Sequence, residues 1–183
     1  MNHPDPYSMF FIAILCPEEI EDKVQKQKLW MRDHFGCTVA LKSAAHITLV
    51  TPFWVKNESE RLLIDTLQSF ETDKLPAEIE LQGFSHFSNR VIFVTVNENQ
   101  QLAALRNETE DHFIQSFRKF IKPDERPFHP HVTIANRDIK PADFIKAWEH
   151  FSREKLQESF STNTLSLLKL TQGKWTVLTE KNY

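Results

Sequence analysis

Glycine is scarce in this chain. Only Gly36, Gly83 and Gly173 occur among 183 residues, too far apart for a phosphate-cradling loop, which needs several positive-φ positions close together. A Walker A loop and a dinucleotide fingerprint are thereby excluded. Cysteine is sparser still: Cys16 and Cys37 make neither a disulfide framework nor a metal-ligand pattern. There is no H-E-x-x-H run for a metal hydrolase and no G-x-S-x-G elbow for a serine nucleophile. Positive charge is not in excess either, with 22 Lys and Arg against 25 Asp and Glu and a formal net charge of -3. Proteins that wrap long nucleic acids carry a strong basic surplus, so no extended nucleic-acid footprint is expected, and any such role is confined to an end or a single nucleotide. No apolar run approaches membrane-spanning length and the opening MNHPDPYSM lacks signal-peptide architecture, so the expected location is cytoplasmic, without a membrane partner.

What the chain does have is apolar and aromatic substance. Apolar residues make up 40%, charged residues 26%, and fifteen residues are Phe, enough for a core that needs no staples. Tyr7 to Cys16 predicts a strand, stopped by Pro17. Pro17-Glu18-Glu19 then opens a helix, because proline suits a first turn and carboxylates its positive end. That helix runs to Phe35 with Ile20, Val24, Leu29 and Met31 inward and Gly36 as its C-cap. Ala45 to Phe53 reads as a strand, and Glu58 to Phe70 as a helix with Leu62, Leu63, Leu67 and Phe70 inward. The order then recurs. Strands at Ile79 to Phe84 and Arg90 to Val96 turn at Ser88-Asn89, and a long helix from Asn99 to Phe120 buries Leu102, Leu105, Thr109, Phe113 and Phe117. Its charged stretch over 98–111 reads as solvated surface. A strand at His131 to Ala135, a helix from Pro141 to Phe151 and two strand candidates, Ser159 to Leu170 and Trp175 to Thr179, complete the chain. Strand–helix–strand–helix twice suggests a duplication and an α+β fold with two small sheets facing each other.

Each half ends its first strand–helix unit on the same four-residue pattern: His46-Ile47-Thr48-Leu49 and His131-Val132-Thr133-Ile134. On a strand, residues i and i+2 share a face. Each segment therefore sets an imidazole beside a hydroxyl on one face and anchors the other face in the core. If the two strands meet at one cleft, one neutral imidazole can accept a proton while the other, protonated, gives one to a leaving oxygen. The threonine hydroxyls can donate to non-bridging phosphoryl oxygens, and no metal is required.

At these residues the chain resembles the two-histidine phosphoesterase superfamily, in its LigT-like branch, often called the 2'-5' RNA ligase family. Phe128-His129-Pro130-His131-Val132-Thr133-Ile134-Ala135-Asn136-Arg137 matches the second family motif closely. The first motif lacks the usual proline or asparagine just before its pair, although Pro52-Phe53 fits one branch, and Leu81-Gln82-Gly83-Phe84 with Val91 to Val96 resembles the family's central hairpin. The resemblance, spanning Phe10 to about Trp175, implies a bilobal duplicated fold with helices outside and a central cleft, forming one domain over residues 1–183. It implies His46 and His131 as the acid–base pair, Thr48 and Thr133 as phosphate donors, and no cofactor. The implied reaction opens 2',3'-cyclic or related ribose cyclic phosphates to a 2'-phosphomonoester. Alternatives at the same site are 2'-5' RNA ligation, RNA end processing, or binding of a nucleotide or RNA end without turnover. The expected partner is a small cyclic nucleotide or an RNA terminus; the sequence leaves the oligomeric state open, with a monomer as the default.

Further candidates flank the motifs. Trp54 and Phe128 are placed to stack on a base, His129 to stand at the entrance, and Arg137, six residues past His131, to share its face and meet a phosphate. Lys42, Arg126 and Lys169 are candidate steering charges. His3, His34, His86, His112 and His150 have no partner at telling spacing.

Overall fold

The computed structural model describes residues 6–183; His3 lies outside them. The chain runs β1 (Tyr7–Leu15), α1 (Glu18–Phe35), β2 (His46–Lys56), α2 (Glu60–Ser69), β3 (Ala77–Phe87), β4 (Val91–Val96), α3 (Gln100–Phe117), β5 (His131–Asn136), α4 (Pro141–Phe151), β6 (Gln157–Thr162), β7 (Thr164–Thr171) and β8 (Lys174–Asn182). These strands build two four-stranded antiparallel sheets, ordered β2-β1-β7-β8 and β5-β4-β3-β6. The bilobal α+β architecture expected from the sequence is the one observed.

Both motif strands, β2 and β5, are sheet edges, and they approach each other. The long helices cross between halves: α1, which follows β1, packs near β5, and α3, which follows β4, packs near β2. One apolar cluster runs through both halves, with Phe10, Ile12 and Ile14 of β1, Ile47 and Leu49 of β2, and Val132 and Ile134 of β5 among its members. Phe11, Ala13 and Leu168 face the other way and form a small second cluster with Leu15 and Trp175. The first sheet therefore turns one face to the main core and the other, carrying Phe11, away from it.

The helix ends follow their local chemistry. Gly36 caps α1 at φ 71°, where the Gly36 N–H donates to the Arg32 carbonyl at 2.8 Å and the Cys37 N–H to that of Met31 at 3.4 Å. A Cβ at Gly36 would meet no atom within 4 Å, so its replacement by alanine carries only the backbone cost of the left-handed region. We expect G36A to lose about 1 kcal/mol, read as a fall of about 2–4 °C in the melting temperature; an unchanged melting temperature would contradict this. Asn99 caps α3 by accepting from the Leu102 N–H at 2.6 Å.

Several expectations need correction. Ser159 to Leu170 is two strands rather than one: β6 pairs with β3 and β7 with β1, so the chain changes sheets at Asn163. On α1 the inward row is Ile20, Val24, Lys28 and Met31, because a 3.6-residue turn favours position 28 over 29; Leu29 is half-buried. Leu62 is 51% exposed, and Thr66 takes the inward position on α2. Within the charged stretch of α3, Arg106 and Glu110 are buried, not solvated, because they bond to each other and to the backbone of Asp124.

Candidate active site

His46 and Thr48 lie half-buried on β2 with Ile47 and Leu49 fully inward; His131 and Thr133 lie half-buried on β5 with Val132 and Ile134 inward. The alternation read from the two motifs is present in both. A further likeness joins them. In each strand the ladder slips directly after the motif threonine, leaving Leu49 unpaired between Thr48 and Val50, and Ile134 unpaired between Thr133 and Ala135. Such β-bulges re-aim side chains and increase local twist. The signal for them is present in the sequence, where two consecutive apolar residues, Leu49-Val50 and Ile134-Ala135, break the alternation.

Both imidazoles are held in the same way. The His46 Nδ1–H donates to the Ala44 carbonyl at 2.7 Å, and the His131 Nδ1–H donates to the His129 carbonyl at 2.7 Å. A carbonyl can only accept, so each neutral ring carries its hydrogen on Nδ1 and presents the Nε2 lone pair outward. Aromatic rings brace each imidazole: Phe11 lies 4.8 Å from His46, and Phe87 and Phe93 each lie 5.0 Å from His131, centroid to centroid. Among the described residues, the hydroxyls of Thr48 and Thr133 are bonded to no other protein side chain or carbonyl, which keeps them available as donors.

The protonation states follow from this packing. Burial pushes His46 down to about 4, reinforced by the positive charges of Lys28 and, when protonated, His131; its hydrogen bond to Ala44 opposes the shift. Burial also lowers His131, opposed by its bond to the His129 carbonyl. The electrostatic influence of His131 at His46 ties the two rings to one region.

A cavity of about 570 Å³ opens beside them, its wall including Thr48 of β2 and His131 of β5, with Phe87, Arg106, Phe128 and His129; their motif partners His46 and Thr133 are not on that wall. That volume is within the size range of small-molecule sites. Phe128 thus lines the cavity, and His129 stands at its mouth, its Nδ1 3.2 Å from the Glu98 carboxylate. Thr51 also lines the cavity; sequence reading missed it because only the bulge returns position 51, three residues after Thr48, to the same side. Arg126 lines it too, fully engaged by the Asp124 carboxylate at 2.6 and 2.8 Å.

The remaining candidates lie elsewhere. Arg137 is exposed past the end of β5 at φ 62°, since the bulge at Ile134 cancels the even-spacing argument that put it beside His131. Trp54 is 49% exposed and outside the cavity wall. Lys42 is exposed, and Lys169 points to the opposite side of the sheet, with Glu60 at 2.5 Å and the Phe10 ring at 5.8 Å. Among the described residues, no three His, Cys, Asp or Glu side chains are placed to hold a metal ion, and no helix is long and apolar enough to cross a membrane.

Comparison with known proteins gives a consistent family. A family model described as the 2'-5' RNA ligase superfamily matches residues 16–174. A Bacillus pumilus protein, provisionally named a phosphoesterase, is 28% identical over 141 residues, covering 72% of this chain and 75% of its own. Among solved structures, a Thermus thermophilus protein aligns with a TM-score of 0.67 at 18% identity, covering 95% of this chain and 97% of its own. E. coli LigT, crystallised with 3'-AMP, aligns with a TM-score of 0.64 at 20% identity, covering 96% and 98%.

Proposed function

This chain belongs to the 2'-5' RNA ligase superfamily, and we propose that it is a metal-independent phosphodiesterase that opens 2',3'-cyclic phosphates by two-histidine acid–base catalysis. The observation that carries this reading is the doubled site: two His-x-Thr pairs on facing edge strands, both imidazoles anchored through Nδ1 with Nε2 free, and Thr48 and His131 on the wall of one cavity. The 3'-AMP bound by E. coli LigT supports a nucleotide-sized ligand for the same fold.

In the reaction, the cyclic phosphate sits between the two Nε2 atoms. One imidazole takes a proton from water as the water oxygen attacks phosphorus in line. The P–O3' bond breaks, and the opposing imidazolium gives its Nε2 proton to O3'. The product is a 2'-phosphomonoester, and the histidine pair ends with one proton, as it began, on the other ring. Thr48 and Thr133 donate to the non-bridging oxygens as their charge grows.

The test is a product assay in the presence of a chelator, using a 2',3'-cyclic mononucleotide and an oligomer with a cyclic phosphate end. Phosphorus NMR is expected to show a 2'-monophosphate. Joined RNA ends would favour ligation, and binding without any product would overturn the catalytic reading.

The pH dependence follows from the lowered imidazoles. The active free enzyme carries one proton on the pair, a form populated between the two apparent pKa values. Both rings lie below the ordinary histidine value of 6.5, His46 at about 4. The optimum of kcat/KM is therefore expected on the acid side of pH 6.5, declining as pH rises and the last proton leaves. An optimum above pH 8 would contradict the lowered values.

A further inference from the structure

Among the described residues, the charged side chains that are buried are Lys28 at 2% exposure, Glu110 at 5% and Arg106 at 9%. All three lie on the two long helices α1 and α3. Burying a charge is costly unless it is paired and hydrogen-bonded, and the mechanism above uses none of them.

Each turns out to grip the segment leading into a motif strand. Lys28 Nζ donates to the Ser43 carbonyl at 2.9 Å. Glu21, two helical turns earlier on the same face, accepts from the Ala45 N–H. These two bonds flank Ala44, whose carbonyl orients His46. On α3, Arg106 donates to the Asp124 carbonyl at 3.2 Å and to Glu110 at 3.0 Å, while Glu110 accepts from the Asp124 N–H at 3.2 Å. Asp124 opens the stretch through Phe128 that walls the cavity, and the Arg106 guanidinium lies 5.9 Å from the centroid of the Phe128 ring. The same device occurs twice: a helix cation donates to a loop carbonyl and a helix carboxylate accepts from a loop N–H.

We propose that Glu21 with Lys28, and Arg106 with Glu110, are paired positioning clamps, the first fixing the imidazole of His46 and the second fixing the Asp124–Phe128 wall that seats the nucleoside. The proposal rests on the acid–base reading of His46 and His131. The two clamps act at different distances. Ser43 and Ala45 lie within three residues of His46, so the first clamp governs the chemical step. Asp124 lies seven residues before His131, so the second governs the fit of substrate. The groups facing Lys28 are Glu21, Cys16 and His46, and those facing Glu110 are Arg106, Asp124 and Asp111. Lys28 holds His46 down by its positive charge, so its removal also moves the ionisation of His46 upward.

The experiment is steady-state kinetics on 2',3'-cyclic nucleotide for K28M, E21A, E21Q and R106M, beside melting temperatures and the H46A and H131A variants. K28M and E21A are expected to lose about tenfold to a hundredfold in kcat with KM little changed, and K28M to move the acid limb of the pH profile upward. E21Q, which retains an oxygen to accept from Ala45, is expected to recover most of the E21A loss. R106M is expected to raise KM about tenfold with kcat nearly retained. Should K28M fail to fold, the half-buried Glu21 pair of variants carries the test of the first clamp. A lowered melting temperature with wild-type kcat, KM and pH profile would overturn the clamps while leaving the acid–base reading intact. Wild-type turnover in H46A or H131A would instead remove that reading itself.

Discussion

Replacing His131 or His46 by alanine is expected to lower turnover of a 2',3'-cyclic nucleotide by about 10²–10⁴, the contribution of a positioned proton-transfer group. The fold should survive both changes. Each ring is half-buried with a single backbone hydrogen bond, to Ala44 or His129, and its truncation removes neither a core anchor nor a buried charge. Melting temperature and circular dichroism should therefore stay near wild type. The double variant is expected to be little slower than either single one, because acid and base act in one step and such effects do not add. Independent, multiplicative losses would show that the two rings work in separate events. Wild-type rates in either single variant would exclude that ring from the chemistry.

The second large effect concerns the hydroxyls. Thr48→Val and Thr133→Val keep side-chain shape and strand preference but remove the hydroxyl donor that the proposed reaction assigns to the phosphoryl oxygens. By comparison with the loss of one preorganised donor at a developing oxyanion, each is expected to cost about 10²–10³ in kcat. KM should change far less, since the bond strengthens as charge grows in the transition state. Serine at either position should recover much of the rate. Neither threonine bears core packing, as both are half-buried opposite Ala13 and Phe93 respectively, so stability should be nearly unchanged. A loss confined to KM would recast the hydroxyls as ground-state binders.

The parts of this molecule that could be read from sequence are those governed by short-range periodicity. His-x-Thr followed by an apolar residue has strand alternation built into it, and the stripe Leu102, Leu105, Thr109, Phe113 and Phe117 has the helical period; all five are buried on α3 as that period implies. What failed did so for identifiable reasons. The bulge at Ile134 reverses which later residues share the face of His131, so Arg137 falls outside the cavity, and the bulge at Leu49 brings Thr51 inside, while Trp54 pairs with Met9 beyond a second register shift and lies off the cavity wall. Lys28, Arg106 and Glu110 belong to the charged class that periodic reading assigns to solvent. Their burial depends on loop carbonyls and N–H groups at Ser43 and Asp124, which no sequence window brings beside them. The split between β6 and β7 is tertiary in the same sense, since only pairing with β3 and β1 distinguishes two strands from one long run.

The most direct measurement is titration of the protein with inorganic phosphate while following the imidazole nitrogens of His46 and His131 by NMR. A single phosphoryl-sized ligand held between the rings should move both Nε2 resonances in one saturable event with a common midpoint and one phosphate bound per chain. Movement of one ring alone, or two rings responding with different midpoints, would contradict a shared site.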